Sequence, residues 1–190
     1  MLYWSEYNGH EANIIRSRKL IDNTIYTFDI ESTSYIILNN NQYNAIDYLS
    51  FSEKEQKNCK PQGLMYIWMF GIRDTVYYGR TWQELSLFLE KLNKYSNKQK
   101  TVFVHNLSWE FEFLENVLNF DNVFARKSRH VIKFDVPKYK MTFRCTYMMS
   151  NCSLERLSDV YGLKTKKHST FLSRITTLKN LIYGFQKQFR

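Results

Sequence analysis

Short apolar runs rich in β-branched and aromatic residues alternate along this chain with segments whose apolar positions recur every three or four residues. A period of two sends side chains to alternate faces of a strand, whereas a period near 3.6 gathers them on one stripe of a helix. The first pattern occurs at Ile25 to Ile30, Tyr35 to Leu38, Leu64 to Ile72, Thr75 to Tyr78, Thr101 to Val104, Val131 to Phe134 and Met141 to Cys145. The second is clearest from Trp82 to Tyr95, where Leu85, Phe88, Leu89, Leu92 and Tyr95 share a face. Thr81 with Glu84 three residues on predicts a capping box there. Ser108 is expected to cap a second helix running through Leu118, and Ser153 a third that Gly162 ends. Residues 1–21 read as an extended lead-in, Ser32 to Ser34 as a tight turn, and 39–60 as a long loop with a helical turn. Arg73-Asp74 reads as the turn of a hairpin. This alternation implies a mixed β-sheet flanked by α-helices, an α/β domain.

Composition narrows the class of protein. Fourteen Tyr, fourteen Phe and only two Pro argue against disorder. Cys59, Cys145 and Cys152 are odd in number and lack CxxC spacing, which speaks against a disulfide framework or a zinc site. No apolar run approaches the ~18 residues of a membrane span, and the N-terminus lacks the apolar core of a signal peptide, so a cytoplasmic protein is expected. The net charge of +9 comes mostly from residues 160–190, which hold seven Lys or Arg and no acid. The nearly balanced remainder gives a nucleic-acid reading only modest support.

The first candidate site is Phe28-Asp29-Ile30-Glu31-Ser32. The strand period puts Asp29 and Glu31 on one face. Two carboxylates at a strand end can share a hard divalent cation such as Mg²⁺ or Mn²⁺. Without metal, their like charges would push one pKa upward. On its own this pattern equally describes solvated charges on an exposed strand. The second segment, Val104-His105-Asn106-Leu107-Ser108-Trp109-Glu110-Phe111, runs from an apolar strand through a polar turn into a helix. Asn106 can hydrogen-bond a phosphate or a base. Trp109 either stacks on an unpaired base or packs in the core. Glu110 either holds a metal or sits as a favourable charge near a helix N-terminus.

Taken together and in this order, FDIEST and HNLSWEF resemble the first and second exonuclease motifs of family B DNA polymerases, most of all the protein-primed type of phages and organelles. The resemblance covers roughly residues 24–168, with 1–23 as lead-in and 169–190 as a basic tail. It implies an RNase H-like fold, a two-metal 3′–5′ exonuclease using Mg²⁺ or Mn²⁺, and a role in proofreading during DNA replication. In that pattern Asp29, Glu31 and Glu110 would be catalytic and metal-binding. Ser32, Asn106, Leu107 and Trp109 would hold the 3′ end of single-stranded DNA. A separately encoded polymerase domain is the expected partner, because 190 residues leave no room for one here.

The chain departs from the pattern in two places. The second motif usually ends in Asp, and this chain has Glu110. The third motif, Tyr-x-x-x-Asp, has its nearest match at Tyr183-Gly184-Phe185-Gln186-Lys187, where Lys replaces the acid. Phe171, Ile175, Leu178, Ile182, Phe185 and Phe189 recur at helical spacing, so a basic amphipathic helix is expected from about 170 to 188. This tail suits a truncated or frameshifted gene end, a phosphate-gripping helix, or a cover for a sheet face. The alternatives to a proofreading domain are a catalytically inactive DNA- or partner-binding module, an independent RNase H-like nuclease, and a nonfunctional fragment.

Overall fold

The computed structural model describes residues 1–13, 21–44, 47, 50–127 and 130–161. Among them, nine strands form one mixed sheet. In chain order they are β1 (Leu2–Tyr3), β2 (Tyr26–Leu38), β3 (Asn41–Asn44), β4 (Lys60–Ile72), β5 (Thr75–Gly79), β6 (Lys100–Val104), β7 (Asp121–Ala125), β8 (Val131–Val136) and β9 (Met141–Cys145). Their spatial order is β1-β5-β4-β2-β6-β9-β8-β7, with β3 paired to β2. The central strands β2, β6 and β9 run parallel, whereas β4 and β8 run antiparallel to their neighbours β2 and β9. The helices are α1 (His10–Asn13), α2 (Glu53–Asn58), α3 (Trp82–Tyr95), α4 (Leu107–Leu114), α5 (Tyr147–Ser150) and α6 (Leu154–Val160). The expected α/β architecture, a mixed sheet flanked by helices as in RNase H-like folds, is the one observed.

The strand alternation sorts side chains between two faces. One face gathers Tyr26, Phe28 and Ile30 of β2, Trp68, Phe70 and Ile72 of β4, and Val102 and Val104 of β6 into the main core. Leu85, Phe88, Leu89 and Leu92 of α3 and Leu107 and Leu114 of α4 close over it. The other face carries Ile25 and Phe103, which pack on Leu154 of α6. The capping box of α3 forms as expected. Glu84 N–H donates to Thr81 Oγ1 at 3.2 Å, and Thr81 N–H donates back to Glu84 Oε2 at 3.0 Å. Ser153 caps α6 by accepting from Arg156 N–H.

Several expectations are corrected. Ser32 to Ser34 do not turn. They continue β2, which pairs with β4 along nearly its whole length with a bulge between Glu31 and Ser32. Those three residues include no Gly, Pro or Asn to force a turn, and a partner strand satisfies their backbone. The reversal comes instead at Asn39-Asn40, both left-handed (φ 52° and 63°), which joins β2 to β3 as a two-residue hairpin. The expected loop at 39–60 therefore holds β3, α2 and the start of β4. The N-terminal segment is more than a lead-in. β1 pairs with β5, and Tyr7, fully buried, meets Tyr77, Phe88 and Tyr95 edge-on. The second helix starts at Leu107 behind a left-handed Asn106 and ends at Leu114 rather than Leu118. Ser108 does not cap it, because its Oγ accepts from Val131 N–H at 2.9 Å. The Gly162 stop, the tail helix and the Tyr183 segment lie outside the described residues.

Candidate active site

Glu110 enters the site from the first turn of α4, where β6 ends. It is only 3% exposed. Burial, and next the charge of Asp29, push its carboxyl well above the usual range, and the two side chains share a hydrogen bond. Two carboxyls joined in this way hold a proton between them. One carboxylate oxygen of Glu110, Oε2, is buried with no hydrogen-bond partner. Such an atom costs roughly 1–3 kcal/mol, more when charged, unless something supplies positive charge. Cys145, at the end of β9, also faces Glu110. Glu110 therefore lies at the C-terminal ends of β6 and β9, where ligands of open α/β sheets gather, and Asp29 reaches it from the fourth residue of β2.

A hard divalent cation fits this donor set. It would satisfy Oε2 and remove the repulsion between two oxygen donors held in a buried place. Asp29 and Glu110 would hold it, with Glu31 two residues along the strand. The structure brings the first two together. Glu31 is half-buried beside the bulge, and among the described residues no three His, Cys, Asp or Glu side chains gather closely enough to hold a metal.

The other expected site residues divide by exposure. Asn106 is exposed, and its side chain makes no cap hydrogen bond to α4. Trp109 is 48% exposed, with its ring tilted against Phe113 at 5.5 Å, so it lies on the surface rather than in the core. Ser32 is half-buried at the bulge. Leu107 is fully buried in the main core, so it seats α4 rather than meeting a ligand at the surface.

His105 is a further residue that motif reading passed over. His105 Nδ1 lies 3.1 Å from Thr146 Oγ1, and the Thr146 hydroxyl also reaches Val104 O at 3.3 Å. Burial holds the imidazole down at about 4, against a hydrogen bond with the Cys152 backbone that acts the other way. A neutral His105 thus ties the turn before α4 to the start of α5. Its place just before Asn106 was the only sequence signal for this.

No described protein family matches the chain, and no curated protein matches it. Among solved structures, phi29 DNA polymerase complexed with primer-template DNA aligns with a TM-score of 0.54 and 10% identity, over 89% of this chain and 32% of that one. Phi29 DNA polymerase complexed with single-stranded DNA aligns with a TM-score of 0.48 and 12% identity, over 77% of this chain and 25% of that one. This chain thus spans a third or less of the polymerase, and what the first of these alignments shows is a shared fold.

Proposed function

We propose that residues 24–168 are a DNA-binding 3′–5′ exonuclease-type domain related to the protein-primed family B DNA polymerases. The observation that carries this reading is the pairing of buried Glu110 with half-buried Asp29, which is costly without a cation and lies where the strand-to-helix turn presents Asn106 and Trp109. The fold shared with part of phi29 DNA polymerase supports it. Mg²⁺ or Mn²⁺ bound here would act as a Lewis acid on a phosphodiester. The chain's own residues bind and orient. Trp109 offers a stacking face for an unpaired base, Asn106 offers an amide for a phosphate or base, and Ser32 follows Glu31 along β2 at the bulge. Hydrolysis would join water's oxygen to phosphorus, break the bond to the preceding 3′ oxygen and pass a proton to that leaving oxygen.

Residues 162–190 contain no Asp or Glu, so the third-motif acid is missing and cleavage is expected to be slow. The test is digestion of 5′-labelled single-stranded DNA with Mn²⁺. Slow shortening from the 3′ end, stopped by EDTA and by Asp29→Ala, is expected. Shortening that survives both overturns the reading. A second reading, a catalytically silent DNA- or partner-binding module, is favoured by the absence of a third gathered donor among the described residues. It expects DNA binding that weakens with salt yet ignores EDTA and Asp29→Ala. The basic tail and a separately encoded polymerase partner belong to the same proposal. Among the described residues no helix is long and apolar enough to cross a membrane.

A further inference from the structure

The bulge beside the acids re-aims one aromatic side chain. Glu31 pairs with Ile67 and Ser32 with Met65, so Tyr66 is the extra residue on β4. In a bulge of this kind, two residues of one strand oppose a single residue of the other. Met65 and Trp68 both lie in the main core although three positions separate them, so the bulge sends Tyr66 and Ile67 together to the opposite face. That is the face of Asp29 and Glu31, since their neighbours Phe28 and Ile30 are core residues. Tyr66 is 48% exposed, and so is Leu64, which the alternation puts on the same face opposite Thr33. Further along, Tyr35 donates its hydroxyl to Gln62 across the same pair of strands. An aromatic and apolar strip thus runs from Glu31 to Tyr35, ~13 Å at a rise of ~3.3 Å per residue. Exposed large apolar side chains in a row on a strand face otherwise invite pairing or aggregation.

We infer that Tyr66 is a substrate-contacting residue of this site, the platform on which the base of a single strand's 3′-terminal nucleotide stacks. The inference rests on the proposed nucleic-acid reading and adds a specificity element to it. An aromatic face accepts any base, so Tyr66 distinguishes an end that carries a base from one that does not. Its hydroxyl is dispensable for this, but its ring is not.

The test compares the affinity of the full chain for two single-stranded oligonucleotides that are identical except that one ends in an abasic 3′ nucleotide. The wild type is expected to favour the base-bearing end by about tenfold, and Tyr66→Phe to keep that preference. Tyr66→Ala, checked for folding by circular dichroism, is expected to bind both ends equally. If Tyr66→Ala weakens both oligonucleotides and keeps their ratio, Tyr66 is merely structural and the inference falls while the nucleic-acid reading stands. The inference falls in the same way if the wild type binds both ends equally well. If the wild type binds neither oligonucleotide, the nucleic-acid reading itself fails and takes the inference with it.

Discussion

Replacing Glu110 by Gln should make the metal-free protein more stable at neutral pH. Burial and Asp29 raise the Glu110 carboxyl above its ordinary range in the folded chain, whereas the unfolded chain titrates normally. For such a group the folded state keeps its full stability at low pH and loses it as pH rises past the unfolded value. Each pH unit over which only the folded chain holds the proton costs about 1.4 kcal/mol. Independently, a buried polar atom without a partner, as Oε2 is, costs roughly 1–3 kcal/mol. At about 2–4 °C per kcal/mol for a chain of this size, relieving it becomes a rise in Tm on the order of 2–12 °C. Gln is nearly the same shape, carries no charge and can donate an amide hydrogen to Asp29. The assay is thermal and urea unfolding in EDTA at pH 4, 5, 6 and 7. The gap between variant and wild type should be small at pH 4 and widen toward pH 7. Adding Mn²⁺ should stabilise the wild type and narrow the gap. A variant less stable than wild type at pH 7, or a gap independent of pH, would refute this reasoning.

Other perturbations act elsewhere. Gly79→Ala would build a Cβ 2.4 Å from the Cζ2 atom of Trp68, which is fully buried and tied by its indole N–H to Thr81 O. Such overpacking should cost about 1–3 kcal/mol, visible as a lower urea midpoint. Trp109→Ala should leave that midpoint unchanged, because the ring is half exposed, yet weaken single-stranded DNA binding by roughly 5- to 100-fold in a fluorescence titration. Lys100 is fully buried, and burial holds its ammonium down to about 8 despite the pull of Asp22. In the unfolded chain it titrates near ~10.4, so the unfolded state binds more protons above pH 8 and stability rises there. Between pH 7.5 and 9.5 the wild type should gain about 1–2 kcal/mol relative to Lys100→Met in urea unfolding.

The parts of this fold that were legible from sequence are those set by local periodicity. The helix from Trp82 to Tyr95 and its Thr81–Glu84 cap depend on contacts three and four residues apart, which the sequence states directly. The hairpin at Arg73-Asp74 and the strands on either side of Pro137 were readable for the same reason. What depends on a distant partner was not readable. Ser32 to Ser34 look like a turn alone and become strand only because β4 runs beside them. The β7 strand, every residue exposed, shows no apolar alternation and exists through pairing with β8. The site divides along the same line. Asp29 and Glu110 belong to motifs that are contiguous in sequence, and the fold joins them. Leu107 belonged to the same motif but lies in the core, because the left-handed Asn106 starts α4 two residues earlier than a Ser108 cap would and turns Leu107 inward. Tyr66 owes its position to a bulge, and no residue type in β4 announces one.

The proposed divalent-cation site lies at Asp29 and Glu110. Direct titration of the full chain with Mn²⁺, followed by electron paramagnetic resonance of the free ion, tests it without requiring any cleavage. The wild type should remove Mn²⁺ from solution, Glu110→Gln and Asp29→Asn should not, and Glu155→Gln on α6 should behave as wild type. Wild-type protein that leaves all Mn²⁺ free, or a Glu110→Gln variant that binds as well as wild type, would contradict it.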